Sequence, residues 1–195
     1  MIRDLIIKNR SYRKFKQEVG IKEETLKELI DLARLSGSGG NVQPLKYIIS
    51  CKSEENEKIF PHLAWAGYLK DWPGPQAGQR PSAYIIILGD TNIMNDFSGC
   101  DHGIAAQSIL LGAAESGLGG CMIGSIQREK LRQVLNIAEQ YKILLVIALG
   151  RPAETVKLEE TGSDGDIKYW RDKQGIHHVP KRSLDEIIIN SIGIS

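Results

Sequence analysis

A cluster of positive charge near the start of the chain has the clearest chemical use of any segment. Residues 8–17 contain five lysines and arginines and no carboxylate, whereas the whole chain has a net charge of only +1. Arg10 and Arg13 flank Ser11, and this combination can hold a compact anion. Guanidinium groups pair with phosphate oxygens, and a hydroxyl adds a short neutral donor. The alternative is a solvated basic face that holds no ligand.

Two glycine-rich segments lack the fingerprint of dinucleotide-binding proteins. Residues 37–42 read Gly-Ser-Gly-Gly-Asn-Val and residues 117–122 read Gly-Leu-Gly-Gly-Cys-Met, so neither ends on the required glycine. The first segment also follows a predicted helix, where the fingerprint needs a strand. The sequence contains no Walker lysine motif. These segments therefore do not predict a site for an adenylate.

The sequence predicts neither a metal centre nor a nucleophilic catalyst. Residues 100–102, Cys-Asp-His, are adjacent, which is poor spacing for three ligands of one ion, and the histidines at 177–178 lie in a polar segment. A Gly-x-Ser-x-Gly elbow is missing from the sequence. Cys51 and Cys121 lie in apolar surroundings, which raise a thiol pKa and reduce its reactivity.

Composition narrows the class of protein. Hydrophobic residues make up 42% and charged residues 25%, as in an ordinary globular domain. The near-neutral charge gives no electrostatic case for nucleic acid or a membrane surface, and the longest clear apolar run, Ile143–Leu149, is too short to span a bilayer. Three cysteines without a C-x-x-C pair, and a start without a signal peptide, favour buried free thiols in the cytoplasm.

Hydrophobic periodicity predicts a single α+β domain over residues 1–195. Helices are predicted over Leu5–Lys8, Lys22–Leu35, Glu54–Phe60, Asp101–Ser116, Arg128–Leu135 and Ser183–Asn190. Strands are predicted over Lys46–Cys51, Ala83–Leu88 and Ile143–Leu149. Strands alternate with helices only in part, so a doubly wound parallel sheet is less favoured. The loop Trp65–Arg80 is long enough to indicate a functional or mobile segment, and Thr161–Asp172 is polar and expected to be exposed.

Four short motifs follow one another along the chain. They are Asn-Arg-Ser-Tyr-Arg-Lys-Phe at 9–15, Gly-Asn-Val-Gln-Pro at 40–44, Gly-Leu-Gly-Gly at 117–120 and Gly-Arg-Pro at 150–152. In this order and spacing, over nearly its whole length, the chain resembles the nitroreductase family of FMN-dependent oxidoreductases. Pro-Lys-Arg at 180–182 also fits the resemblance.

The resemblance implies a fold, an assembly and a cofactor. The fold is a mixed β-sheet flanked by helices, and the assembly is an intertwined homodimer with exchanged terminal segments. One FMN is implied in each of two pockets at the dimer interface. NADH or NADPH and a small-molecule electron acceptor are the implied partners.

The resemblance also assigns roles to individual residues. The phosphate of FMN is expected to contact residues from both ends of the chain, namely Arg10, Ser11, Lys181 and Arg182. Arg13 is expected nearer the ring edge, at N1 and the C2 carbonyl, where a cation stabilises the reduced, anionic flavin. One departure bears on these arginines, because many family members have an arginine where this chain has Asn9. Asn9 can still donate a hydrogen bond, although the division of roles between Arg10 and Arg13 then stays open.

Two further groups are expected at the flavin. Asn41 and Gln43 are implied to reach it from the partner subunit, and the backbone of residues 122–124 (Met122, Ile123 and Gly124) is implied to lie against the ring near N5. The ordinary alternatives are a solvated glycine turn for the first group and plain core for the second. In the variable loop, Trp65, Tyr68 and Trp72 are candidates for the pocket wall or lid, and surface packing is the alternative.

The expected activity is NAD(P)H-dependent reduction of nitroaromatics, quinones or a related small acceptor through flavin N5. Stacking and flavin electronics supply the chemistry, so no catalytic side chain is required. Three alternatives stay open from the sequence. One is a flavin-binding carrier or sensor without turnover, and another is a small-molecule-binding domain without flavin. The last is a flavin-destroying or dehalogenating enzyme of the same family.

Overall fold

The computed structural model describes residues 1–190, so the last five residues of the expected domain lie outside it. Its helices are α1 (Ile2–Lys8), α2 (Glu23–Arg34), α3 (Ser53–Ile59), α4 (Asp101–Glu115), α5 (Arg128–Val134) and α6 (Leu184–Ile187). Its strands are β1 (Leu45–Ser50), β2 (Ala83–Asp90), β3 (Gly119–Ile123), β4 (Tyr141–Gly150), β5 (Val156–Glu160), β6 (Trp170–Arg171) and β7 (His177–Lys181). Short 3-10 turns span Gly39–Asn41, Phe60–His62 and Asp96–Cys100.

The main sheet has the order β1-β2-β4-β3 and is antiparallel throughout. Central strand β2 is buried from Ala83 to Gly89 because both of its faces are covered. Ile85 and Ile87 pack into one hydrophobic cluster with α2 and α4. Tyr84 and Ile86 alternate with them and pack into a second cluster on the other face. The sheet therefore lies between two apolar layers, and the predicted α+β class is confirmed.

A second, smaller sheet has the order β5-β7-β6. Strands β5 and β7 run parallel, whereas β6 and β7 run antiparallel, so the mixed pairing expected for the fold occurs in this sheet. The sequence did not predict these strands. Its interpretation of residues 177–178 as a polar segment was wrong, because His177 is completely buried. Mixed polar and apolar residues in short strands give no clear alternation from which to predict them.

Most predicted elements agree with the structure to within three residues. Helix α6 ends at Ile187, three residues before the predicted end, and the expected N-cap is present because Ser183 Oγ accepts a hydrogen bond from the backbone N–H of Glu186 at 3.2 Å. The expectation of buried thiols was wrong for Cys100, which is exposed, and only Cys121 is fully buried. Within residues 1–190, no helix is long and apolar enough to cross a membrane.

His178 joins the strands of the small sheet through two carboxylates. Its Nδ1 lies 2.8 Å from Glu159 Oε1 and its Nε2 lies 3.1 Å from Asp172 Oδ2. Hydrogen bonds to the two carboxylates raise the pKa of His178, and the bonds from His178 lower the pKa of Glu159 and of Asp172. Both nitrogens can donate only in the protonated ring.

We expect the two contacts of His178 with Glu159 and Asp172, here called the His178 clasp, to make a pH-dependent contribution to stability. The histidine contribution is fully present below its unfolded pKa of about 6.5 and is lost as pH rises through the raised folded value. The carboxylate contribution is present above about pH 4.3 and is lost as pH falls through the lowered folded values. Urea unfolding of wild type and His178→Gln should therefore differ most between about pH 4.5 and 6.5.

The stability of wild type must be compared with that of His178→Gln because the pKa of His177 shifts in the opposite direction from that of His178. Burial is the main cause that lowers the pKa of His177 to about 4, and the charge of Arg13 adds to it. The contribution of His177 to stability is therefore lost as pH falls below about 6.5. His102→Gln, a half-buried histidine in the first turn of α4 and outside the small sheet, serves as the control. A stability difference that is independent of pH would contradict the His178 clasp.

Candidate functional site

The basic N-terminal segment lies along the edge of the main sheet. Ser11 forms a bridge with Gly120 of β3, and the backbone N–H of Tyr12 donates to the carbonyl of Gly120 at 3.0 Å. The ring of Tyr12 lies over Gly119, where an added Cβ atom would be only 2.5 Å from it. Glycine is therefore needed at 119 for close approach, and its interpretation as a simple helix stop missed strand β3.

Phe15 fixes the other end of the same segment. It is fully buried and forms a bridge with Pro152. A Cβ atom at Gly150 would be 2.7 Å from its ring. The glycines of the motifs at 117–120 and 150–152 thus leave room for the N-terminal segment to pack against the sheet. This packing sets the direction of the side chains between Ser11 and Phe15.

Two cavities lie beside this segment. The first has a volume of about 300 Å³ and the second about 180 Å³. Residues that line the first include Asn9, Arg10, Ser11, Arg13, Met122, His177, Val179 and Lys181. Residues that line the second include Arg13, Trp65, Met122, Ile123 and Gly124. Arg13 and Met122 line both, so the two cavities adjoin. Eight of the predicted or candidate site residues are therefore brought together.

Strand β7 supplies the far wall of the first cavity. His177, Val179 and Lys181 line it, and they are alternate residues, which point to one face of a strand. Lys181 and Arg10 thus line one cavity, which brings together residues from the two ends of the chain. The sequence missed His177 as a site residue, and only recognition of β7 as a strand could have placed it beside Lys181.

Arg13 is held at the junction of the two cavities. Its Nη1 donates to the carbonyl of Ser11 at 3.2 Å and lies 3.2 Å from Nε2 of His177. Its guanidinium carbon lies 4.8 Å from the ring centroid of Tyr169. A guanidinium group can only donate, so His177 Nε2 is the acceptor and the ring is neutral with its proton on Nδ1. Three contacts therefore fix one cation in place.

Glu154 supports this arrangement from behind. Its side chain is only 2% exposed. It accepts hydrogen bonds from the backbone N–H groups of Arg13 and Lys14, and it pairs with Arg171 Nη2 at 2.9 Å. Arg171 in turn lies 4.3 Å from the ring centroid of Trp72. One buried carboxylate thus connects the basic segment with the small sheet and with the tryptophan loop.

The loop over residues 65–80 packs against the site. Trp65 lines the second cavity and is 8% exposed. Tyr68 lies 4.9 Å, centroid to centroid, from Tyr169, which also contacts Arg13 and His177. Trp65 therefore forms pocket wall. Tyr68 and Trp72 line neither cavity and instead pack against residues that hold Arg13.

Three predicted site residues lie apart from the two cavities. Arg182 forms an ion pair with Glu186 one helical turn further on. Gln43 lines a different cavity together with Ser38 and Asp101, and its Nε2 donates to Asn41 Oδ1 at 3.1 Å. Within one protomer, residues 41 and 43 therefore do not reach the Arg10 cavity.

Unpaired buried nitrogens mark the two adjoining cavities. Arg10 Nε, His177 Nδ1 and Trp65 Nε1 are buried and have no hydrogen-bond partner in the described part of the chain, and all three residues line one of the two cavities. The large majority of buried side-chain polar atoms in proteins have a hydrogen-bond partner. A bound ligand would satisfy such groups. Over residues 1–190, no group of His, Cys, Asp and Glu could hold a metal ion.

An antiparallel sheet between apolar layers, with a cationic cavity at its edge, defines an α+β protein with a site suited to an anionic ligand. Comparison with known families makes this class more specific. The sequence profile described as "Nitroreductase family" matches residues 6–151, which is most of the chain. The chain belongs to the nitroreductase family.

Known relatives agree with this assignment. A protein of Methanothermobacter thermautotrophicus, provisionally named an NADH dehydrogenase/NAD(P)H nitroreductase, is 30% identical over 151 residues, covering 74% of this chain and 74% of the relative. An FMN-dependent nitroreductase from Clostridium difficile R20291 is 25% identical with a TM-score of 0.64, covering 89% of this chain and 99% of its own. An NADPH:FMN oxidoreductase from Vibrio harveyi, solved with NAD+, shares the fold at 23% identity and a TM-score of 0.60, covering 77% and 68%.

Proposed function

We propose that this protein is a cytoplasmic FMN-dependent oxidoreductase. It uses NADH or NADPH to reduce nitroaromatics, quinones or a related small acceptor, and residues 1–195 form one domain. The observation that carries the proposal is the convergence of Arg10, Ser11 and Lys181 on one cavity, with Arg13 at the junction with the next. The names of the relatives, which include FMN-dependent and NAD(P)H-using enzymes, support it.

The first cavity fits the phosphate of FMN. A phosphate monoester carries about two negative charges, and the cavity presents Arg10, Lys181 and the Ser11 hydroxyl. The unpaired Nε of Arg10 is a donor that such an anion would satisfy. Arg182, whose Nη1 pairs with Glu186, is proposed as a further contact.

The second cavity fits the flavin ring. Residues 122–124 line it with the end of strand β3, and Arg13 supplies the cation at its boundary. When bound, FMN supplies hydride transfer at N5 between a nicotinamide and an electron acceptor. The protein binds and orients the ring and places one positive charge beside it. No side chain is proposed as a general acid or base, and His177 is held neutral as an acceptor for Arg13.

We further propose that the working unit is an intertwined homodimer. Large apolar side chains of the two terminal segments are exposed on the single chain: Ile2, Ile6, Ile7, Leu184, Ile187, Ile188 and Ile189. Such surfaces in proteins usually mark an interface. Asn41 and Gln43, which do not reach the cavity of their own protomer, are then available to contact the FMN of the partner subunit.

The dimer predicts linked assembly and cofactor binding. Sedimentation of the flavin-loaded protein should show only dimer, and dilution should not yield a folded apo-monomer because folding and association are then inseparable. Ile6→Lys on α1 should weaken the dimer, whereas Lys27→Glu on the exposed face of α2 should not. A stable, flavin-loaded monomer would contradict the proposal.

The function is tested by identifying the cofactor and then the turnover. The flavin released by heat should comigrate with FMN. The chain offers a cavity for one phosphate, and its sequence lacks the dinucleotide fingerprint that would bind an adenylate. Recovery of FAD as the main species would contradict it. Steady-state oxidation of NADH or NADPH with a quinone or nitroaromatic then separates an enzyme from a flavin carrier or sensor, which would bind FMN without turnover.

A further inference from the structure

A further cavity, of about 170 Å³, shares no lining residue with the two cavities proposed for FMN. It lies where the end of β1, helix α3 and the start of β2 meet, and its walls include Phe60, Arg80, Ser82 and Tyr84. The volume is below the ~300 Å³ typical of pockets for drug-sized ligands. Unlike the two cavities proposed for FMN, which adjoin each other, this cavity shares no wall with another at the flavin site, so its volume alone suits a small ligand.

Two polar groups on this cavity lack partners in residues 1–190. Arg80 Nε and Ser82 Oγ are buried without a hydrogen bond, and Ser82 is only 6% exposed. Tyr84, which is 1% exposed, adds a phenol to the same walls. Arg80 and Tyr84 line the same cavity. Burial raises the pKa of Tyr84, and the charge of Arg80 opposes that rise.

The adjacent Asn56 shows that this region otherwise satisfies its polar groups. Its Oδ1 accepts from Ser50 Oγ at 2.7 Å, and its Nδ2 donates to the carbonyl of Ser82 at 2.8 Å. Buried polar atoms without partners lie at this cavity as they do at the two cavities proposed for FMN. A bound ligand would satisfy Arg80 Nε and Ser82 Oγ.

The unpaired groups are hydrogen-bond donors suited to a carboxylate. The guanidinium carbon of Arg80 lies 4.2 Å from the ring centroid of Phe60, which orients the cation without using its N–H donors. The Nε of Arg80 has no hydrogen-bond partner among the described residues. A guanidinium group with two nearby hydroxyls matches the oxygens of a carboxylate.

Two exposed carboxylates also line the cavity, namely those of Glu18 and Glu57. They would repel a simple anion and attract an ammonium group. A ligand that carries both charges matches Arg80 and the two glutamates together. We propose that this cavity binds a small zwitterion of free amino-acid size, with its carboxylate at Arg80, Ser82 and Tyr84 and its ammonium group toward Glu18 and Glu57.

Calorimetry on the flavin-loaded protein tests this site. The probes are L-alanine, L-serine and L-leucine, with propionate and ethylamine as fragments that keep one charge each. We expect saturable binding of at least one amino acid, with one site per protomer, and at least about ten-fold weaker binding of both fragments. Absence of binding by all three amino acids, or equal binding of propionate, would overturn the proposal.

Variants separate this site from the flavin cavities. Arg80→Gln should weaken amino-acid binding at least about ten-fold, since a charged hydrogen bond is lost, while FMN content stays unchanged. Arg34→Gln, an exposed arginine paired with Asp31, is the matched control. If Arg80→Gln fails to fold, Glu57→Gln on the exposed rim tests the site instead. It should weaken the binding of amino acids and leave the binding of propionate unchanged. Unchanged amino-acid affinity in the folded variants would overturn the site, whatever the outcome for FMN.

Discussion

Arg13→Ala is expected to lower the midpoint potential of bound FMN, while Arg10→Ala is expected to weaken FMN binding. The reason is the placement of charge. Arg13 lies at the junction of the two cavities, so its cation favours the more negative, reduced state of the ring. Arg10 lines only the phosphate cavity, and a contact to phosphate serves both redox states equally.

The expected sizes follow from the strength of charged hydrogen bonds, about 1.5–3 kcal/mol each when shielded. Loss of Arg10 should weaken FMN affinity roughly 10–100-fold, and loss of Arg13 should lower the potential by roughly 30–60 mV for a two-electron couple. FMN titration and spectroelectrochemistry of both variants check this, with the exposed Arg151→Ala as control. If Arg10→Ala shifts the potential and Arg13→Ala does not, the two roles are reversed. Both arginine variants are tested because Asn9 lines the same cavity as Arg10 and stands where many family members have an arginine.

Glu154→Ala is expected to cause the largest loss of stability of any single change considered. Its carboxylate is 2% exposed and pairs with Arg171, whose side chain is 14% exposed. It also accepts from the backbone N–H groups of Arg13 and Lys14. Removal leaves one buried cation and two amide donors unpaired, and breaking a buried pair from one side typically costs about 3–5 kcal/mol.

The matched variants separate the contact with Arg171 from the contacts with the two amide groups. Glu154→Gln retains an oxygen that can accept from the amides of Arg13 and Lys14 and loses both the charge and the acceptor toward Arg171, so it should cost less than Glu154→Ala. Glu160→Ala, an exposed glutamate on β5, should change the free energy of unfolding little. Urea unfolding of the three variants measures these differences. A cost for Glu154→Ala no larger than that of Glu160→Ala would show that the buried network does not support the fold.

Sequence predicts those features that depend on local pattern. Strand β2 is an unbroken apolar run because it is buried on both faces, and Ser183 three residues before Glu186 marks a helix start that the structure contains. Arg10, Ser11 and Arg13 could be selected because their grouping is visible in one segment. The class of fold and the neighbourhood of these residues with Lys181 therefore follow from the sequence and its family resemblance.

Other features depend on contacts between distant segments. Strand β3 was missed because Gly119 reads as a helix stop, whereas it is needed for the approach of Tyr12. His177 was missed because its burial depends on Arg13 and Tyr169, which are far from it in sequence. Arg182 could have been paired with Glu186 from their i, i+4 spacing. The FMN contacts proposed for Asn41 and Gln43 depend on the partner subunit in the proposed assembly.

The spectrum of the purified protein before and after NAD(P)H, without oxygen, tests the central claim most directly. We predict an oxidised flavin band in the protein as isolated or after addition of FMN. NADH or NADPH should bleach this band, and a quinone or nitroaromatic should restore it. A protein that takes up no FMN, or whose FMN band neither nicotinamide bleaches, would contradict the proposed oxidoreductase.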